Sequence, residues 1–131
     1  MTKSEWNSLI KLSKWFKKMI KDTLKRTLNV YSGRQLVGEL ADINGFWSFK
    51  YDSGWLDSPH GFPICPDIPL TAREVLDSGT NRPVQRFFDN LLPEENARIL
   101  LAKEVQVDEG DSFELLAASG VESAGALTLL P

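Results

Sequence analysis

Apolar residues recur along this chain first with helical spacing, then with strand alternation, then with helical spacing again. Over residues 4–26, Trp6, Leu9, Ile10, Leu12, Phe16, Met19, Ile20 and Leu24 share one face of a helix stepped at about 100° per residue, with Trp15 at its edge. Lys11, Lys14, Lys18, Lys21 and Lys25 form the opposite side, and Ser4 is a suitable N-cap. Such a basic amphipathic helix can dock on its own domain, on a partner or on an anionic membrane surface. The pattern changes near Leu28. Leu28, Val30 and Tyr31 lead into Ser32-Gly33, and Leu36, Val37 and Leu40 follow, which predicts a hairpin. Asn44-Gly45 is a second turn signal, and Phe46–Tyr51 then reads as a third strand. Three antiparallel strands suffice for a small sheet.

Pro59, Pro63, Pro66 and Pro69 exclude a helix or a central strand from 52–70. Thr71 and Glu74 have capping-box spacing for a short helical turn ending by Gly79, and the same segment reads equally as extended. The C-terminal third is helical. Val84, Phe87, Phe88, Leu91 and Leu92 define one helix that Pro93 stops. Pro93 can also open the next helix, with Glu94 and Glu95 at its positive end and Ile99, Leu100, Ala102 and Val105 as its core face. Asp111 and Glu114 have capping-box spacing for a last helix over Phe113, Leu116 and Ala117, ending at Gly120. Residues 126–130 read as a closing strand. The expected fold is α+β: a small antiparallel sheet packed with C-terminal helices, preceded by the basic amphipathic helix.

A length of 131 residues suits one domain, and an apolar fraction of 42% with 25% charged residues is ordinary for a globular chain. No stretch has the apolar length of a transmembrane helix. The single cysteine, Cys65, and single histidine, His60, exclude an internal disulfide framework, a Cys-rich zinc site and any site needing two imidazoles. No metal or cofactor is expected. The net charge of −3 conceals an asymmetry: residues 1–28 carry eight Lys/Arg against two acids, net +6, and the remainder seven against sixteen, net −9. An acidic body is a poor nucleic-acid binder, so contact with nucleic acid or anionic lipid would run through the leader. Lysines interrupt the leader throughout, which is unlike a secretory signal and points to the cytoplasm.

Catalytic motifs of the phosphate-loop, dinucleotide-binding, nucleophile-elbow and zinc-protease kinds are absent. His60 and Cys65 are five apart in a Pro-rich loop, and read as a surface histidine and a semi-buried thiol rather than a nucleophile pair. Asp89, Glu94 and Glu95 read as caps and dipole partners at a helix junction; Asp108, Glu109, Asp111 and Glu114 read as solvated acids and caps. The unusual feature is aromatic. Trp47 and Trp55 lie near Phe46, Phe49, Tyr51 and Phe62, and exposed aromatics here or at Phe87-Phe88 would anchor a partner.

From Leu28 onward five segments, in order, resemble the N-terminal subdomain of HipA-type serine/threonine kinases, the toxins of bacterial toxin–antitoxin systems. They are the hairpin over 28–40, Phe49-Lys-Tyr-Asp-Ser-Gly-Trp-Leu56, Phe87-Phe-Asp-Asn-Leu-Leu-Pro-Glu94, the helix over 113–120 and the strand over 125–131. The resemblance divides the chain into a leader, 1–27, and a subdomain-like domain, 28–131. Phe62–Leu70 departs from the family's usual serine-and-leucine alternation, and the leader has no counterpart in it. A detached subdomain is similar to HipS, the small antitoxin subunit of tripartite HipBST systems.

The resemblance therefore implies a non-enzymatic subunit that binds and inhibits a separate HipT kinase, with HipB as a DNA-binding partner. It implies partner contacts at Phe87, Phe88, Asp89, Asn90, Leu91, Leu92 and Pro93, with Trp55 as a second anchor; Phe87, Phe88 and Trp55 read equally as core. Two other classes remain open. One is a transcriptional cofactor of a HipB-type repressor, and the other is a membrane-surface adaptor. Both would act through Lys11, Lys14, Lys18, Lys21 and Lys25.

Overall fold

The computed structural model describes residues 3, 5, 25–119 and 127–131. The basic helix expected over 4–26 falls almost wholly outside them. Its last two positions are corrected: Lys25 and Arg26 belong to the first strand, and Lys25 is an exposed strand residue. Lys11, Lys14, Lys18 and Lys21 lie outside the described residues.

Strand β1 (Lys25–Ser32) turns through Gly33 into β2 (Gln35–Ile43), which turns through Asn44-Gly45 into β3 (Phe46–Tyr51). Asn44 and Gly45 both take positive φ, 55° and 85°, the combination that a two-residue turn between twisted strands requires. A short helix α1 (Ser53–Leu56) follows, capped by the Asp52 carboxylate accepting from the Gly54 N–H. Then come β4 (Val75–Leu76), α2 (Pro83–Asp89), α3 (Glu95–Val105), α4 (Ser112–Ser119) and β5 (Thr128–Leu130). The five strands form one antiparallel sheet in the order β4-β3-β2-β1-β5. The fold is α+β, as the sequence pattern predicts.

The pleat sorts side chains onto two faces. Leu28 and Val30 on β1, Leu40 and Asp42 on β2, Trp47, Phe49 and Tyr51 on β3, and Leu129 on β5 point inward and are buried, with the half-buried Arg26 of β1 on the same face. The helices pack on this inner face. Phe88 of α2 lies 5.7 Å from Phe49 between ring centroids, and Phe113 of α4 meets Trp47 edge-to-face at 5.3 Å. Gly38 serves a close approach, because a Cβ there would fall 2.7 Å from the Phe49 ring and 2.3 Å from the Lys50 carbonyl oxygen. The opposite face carries Thr27, Asn29, Glu39, Ala41, Ile43, Phe46, Ser48, Lys50, Leu76 and Leu130 by register.

Five local expectations change. The prolines do not keep all of 52–70 free of helix: Ser53–Leu56 precede Pro59, the first of them, and form the short helix α1. Of the two readings open for 71–79 the helical turn is the one that fails: Val75 and Leu76 form a strand, paired to Phe49 and Ser48, and the Thr71/Glu74 spacing caps no helix. Pro93 does not open α3; Glu94 occupies the cap and the helix starts at Glu95. Leu100 is 67% exposed and Ile99 is also exposed, while Leu101, Ala102 and Val105 make the contacts with the core. The last strand spans 128–130, and Ala126 and Gly120 lie outside the described residues.

Two buried carboxylates fasten the layers. Asp77 accepts from the Val84 and Gln85 N–H groups at 2.8 and 2.9 Å, capping α2 from across a loop. Asp42 accepts from the Gly45 N–H at 2.8 Å and pairs with Arg26.

Candidate functional site

The segment joining α2 to α3 is built around one arginine. The Arg98 guanidinium donates from Nε to the Pro93 carbonyl at 3.0 Å, from Nη2 to the Asp89 carbonyl at 3.1 Å and from Nη1 to the Asp89 carboxylate at 3.2 Å. A planar fork with five donors can hold both ends of a loop in this way; an ammonium cannot. The Asp89 carboxylate also accepts from the Ser112 hydroxyl at 2.6 Å, which ties the loop to the start of α4. Within the loop, the Asn90, Leu91 and Leu92 N–H groups donate to the carbonyls of Arg86, Phe88 and Asp89. The backbone of residues 89–93 is thus fixed at both ends and in the middle.

This wiring decides which side chains face outward. Leu92 is buried and Phe88 is fully buried, so these two are core rather than contact residues. Phe87 is half-buried, stacked edge-to-face on Phe88 at 5.0 Å. Asn90 is exposed, Leu91 and Pro93 are half-buried, and Asp89 is engaged by Arg98 and Ser112. The available surface is a ridge of Phe87, Asn90, Leu91 and Pro93. Beside it runs an open cleft of about 600 Å³, lined among others by Arg82, Gln85, Arg86, Asp89, Arg98 and Ser112. Its arginines are already engaged: Arg86 pairs with Asp67 at 3.5 Å, and Arg82 bonds Gln85 and lies over the Phe46 ring.

Trp55 lies apart from this ridge. It is 2% exposed, its indole N–H donates to the Phe62 carbonyl at 3.0 Å, and its ring meets Phe62 edge-to-face at 5.1 Å. Trp55 therefore anchors the Pro-rich loop from inside, and the exposed aromatic of the pair is Phe62. The Tyr51 hydroxyl holds the same loop, donating to the Ile68 carbonyl at 2.5 Å and accepting from the Ile64 N–H at 3.0 Å. Burial pushes the Tyr51 phenol above its usual range, opposed by the Ile64 hydrogen bond and helped by Cys65. His60 is exposed and Cys65 half-buried, and no hydrogen bond joins them among the described residues.

Leu100 and Ile99 are surface residues that the helical pattern assigned to the core. The signal was present: Ile99-Leu100-Leu101-Ala102 is an unbroken apolar run, more than one face of a helix can bury. Among the described residues, no cluster of His, Cys, Asp or Glu forms a metal site, and no helix is long and apolar enough to cross a membrane.

Comparison with known proteins accounts for the architecture. The chain is 36% identical over 107 residues to a putative kinase, Y4mE, of Sinorhizobium fredii, a match covering 81% of this chain and 24% of the relative. It is 34% identical over 108 residues to the serine/threonine-protein kinase toxin HipA of Shewanella oneidensis, covering 80% of this chain and 23% of the relative. The chain thus spans about a quarter of the length of these curated relatives. The family model for the HipA N-terminal domain matches residues 28–130, which takes in β1 from Leu28 onward, the other four described strands and all four described helices, and the chain belongs to that family.

Proposed function

We propose that this protein is a non-catalytic antitoxin subunit that binds and restrains a separate HipA-type serine/threonine kinase in the cytoplasm. The observation that carries the reading is the match of residues 28–130 to a domain that makes up only about a quarter of relatives named as kinases. A domain that packs on a kinase in one chain can pack on it between chains, and the same surfaces then serve as an interface. In this reading a HipB-type DNA-binding protein is a third member of the complex.

The contact surface is the ridge of Phe87, Asn90, Leu91 and Pro93, with the exposed Leu100 on α3 as a further candidate contact. Its backbone is held by Arg98 before any partner arrives, so binding orders little further chain. Inhibition follows from occlusion, with the ridge seated beside the nucleotide cleft of the kinase. The body's net charge of −9 over residues 29–131 favours a basic kinase face and a salt-sensitive association rate.

The test is co-expression of the tagged protein with the short HipA-type kinase of its own host, followed by affinity purification and an autophosphorylation assay on the purified kinase. Co-elution, with loss of autophosphorylation at stoichiometric protein, is the expected result. A kinase that neither co-elutes nor loses activity overturns the reading.

A further inference from the structure

The turn before α2 presents a hydroxyl to a group of arginines. Three hydrogen bonds close the turn. The Ser78 N–H and hydroxyl donate to the Asn81 carbonyl at 2.8 and 3.1 Å, and the Asn81 N–H donates to the Ser78 hydroxyl at 2.9 Å. Gly79 and Thr80 therefore form its tip. Both are exposed, and the Thr80 hydroxyl has no hydrogen bond among the described residues. Thr80 lines the same cleft of about 600 Å³ as Arg82, Arg86 and Arg98. Ser53 is exposed too, but the groove it lines sets Glu39 and Asp52 against a single Lys50.

Two of the arginines keep donors in reserve. Arg86 lies one helical turn from Arg82, its N–H donating to the Arg82 carbonyl at 3.0 Å, so the two side chains leave the same face. Arg82 bonds Gly45 and Gln85 through Nη1, while its Nε and Nη2 have no hydrogen-bond partner among the described residues. Arg86 meets Asp67 at 3.5 Å, with the two side chains 58% and 67% exposed, and such a surface pair holds its cation weakly. Arg98 is committed to the α2–α3 loop and contributes only its charge. The acids on the cleft wall are Asp89 and Glu109, and Asp89 is already held by Arg98 and Ser112. Cations are thus concentrated here, in a body of net charge −9 over residues 29–131. The site is made by side chains, because Asp77 already takes the Val84 and Gln85 N–H groups.

We propose that Thr80 is a phosphorylation site and that Arg82 and Arg86 receive its phosphate across the cleft. A phosphomonoester carries about −1.5 to −2 charges at neutral pH, against one on Asp67, and so draws Arg86 away from that carboxylate. Arginine forks match its oxygens in pairs. The donor is a nucleoside triphosphate held by a serine/threonine kinase. Thr80 Oγ1 forms the new bond to the γ-phosphorus, and the bond from that phosphorus to the β,γ-bridging oxygen breaks. The nucleoside diphosphate leaves with the electron pair, and the hydroxyl proton passes to a base of the kinase. That this enzyme is the bound HipA-type kinase rests on the reading above; the receiving cleft does not. Once made, the phosphate fastens the tip of the turn to α2.

The first test uses the full chain with phosphothreonine installed at position 80 during translation. Its second ionisation is followed by phosphorus NMR and compared with that of a phosphorylated peptide of residues 77–83. A fall in proton affinity of about threefold or more is expected in the protein, and Arg86→Gln should remove most of it with unchanged Tm. Equal ionisation in protein and peptide overturns the proposal. The second test incubates the unmodified protein with the kinase in tenfold excess, so that free enzyme remains, and with magnesium and ATP. Mass spectrometry should place phosphate on Thr80, and Thr80→Val should lose it. A kinase that binds the protein and leaves Thr80 unmodified overturns the assignment of Thr80 alone. A kinase that does not bind overturns the kinase-binding reading, and the NMR titration then decides the cleft by itself.

Discussion

Arg26 and Asp111 stand 85 positions apart in the chain and meet through two hydrogen bonds of 2.9 Å. The same guanidinium pairs with the buried Asp42 of β2, lies 3.6 Å from Glu114 and sits 4.9 Å over the Phe113 ring. Asp111 in turn accepts from the Glu114 N–H as the cap of α4. One side chain thus joins the first strand, the second strand and the last described helix. Burial alone would lower the guanidinium's proton affinity, but its hydrogen bonds to Asp42 and Asp111 raise it above the usual value.

Removing that side chain leaves Asp42, which is 3% exposed, without its counter-charge. Arg26→Ala is expected to cost about 2–3 kcal/mol, read as a lower urea midpoint with an unchanged slope. Arg26→Lys should recover only part of this, because an ammonium cannot hold Asp42 and Asp111 with separate forks. A loss below about 0.5 kcal/mol for the alanine variant would mean the cluster is only a surface feature.

Tyr51 makes an alkaline signature. Its phenol is raised above 10.0 in the fold, so on increasing pH the unfolded chain loses this proton first. The unfolded state then binds fewer protons, and stability falls as pH climbs past about 10. Tyr51→Phe should remove this part of the alkaline loss. At neutral pH it should cost about 1–3 kcal/mol, since the Ile64 N–H loses its acceptor and the Ile68 carbonyl its donor. Chemical denaturation at pH 7 and pH 10.5 for both proteins checks the slope and the offset.

Gln106 closes α3 at φ 58° and ψ 47°, with its N–H donated to Ala102 and Lys103 carbonyls. This left-handed conformation suits glycine better than a residue with a Cβ. Gln106→Gly is expected to stabilise the protein by about 0.5–1 kcal/mol, raising Tm by about 2–4 °C in calorimetry. A drop in Tm would show that the Gln106 side chain contributes packing that outweighs the backbone relief.

The ridge predicts a separation of binding from folding. Leu100→Asp and Leu91→Asp should each weaken kinase association by about 30-fold or more, equivalent to about 2 kcal/mol, with unchanged Tm for Leu100→Asp. Leu92→Ala, by contrast, should cost about 2–4 kcal/mol of stability because it empties a buried site. Titration calorimetry against the kinase, paired with thermal melts, distinguishes the two classes. Wild-type affinity in both aspartate variants would remove the ridge from the interface.

The hairpins were legible because two signals coincide in each: strand alternation and a turn that tolerates positive φ, as at Asn44-Gly45. The Asp77 cap was hidden, since the carboxylate precedes α2 by a loop and reaches Val84 and Gln85 only through the fold. Thr71 and Glu74 carried the local spacing of a cap, yet pairing with β3 drew Val75 and Leu76 into the sheet instead. At the candidate site the motif itself was visible, but not its orientation. Phe88 and Leu92 point inward and Asn90 outward because Arg98 and Ser112 clamp Asp89 and Pro93 from distant parts of the chain. Leu100 was misassigned because a helical face pattern does not say how wide the receiving core is.

The sheet order puts the last strand beside the first. Asn29, Val30 and Tyr31 pair with Leu130, Leu129 and Thr128, so the ladder of β1 is complete only when the far end of the chain is in place. On the ribosome, β1 and β2 can pair early, but β1 keeps a bare backbone edge until residues 128–130 have left the exit tunnel. Such an edge is a template for any extended chain that arrives first. A nascent or C-terminally clipped molecule would therefore be adhesive, prone to borrowing a strand from a neighbour. Three closing residues thus protect the protein from strand exchange as well as completing its sheet.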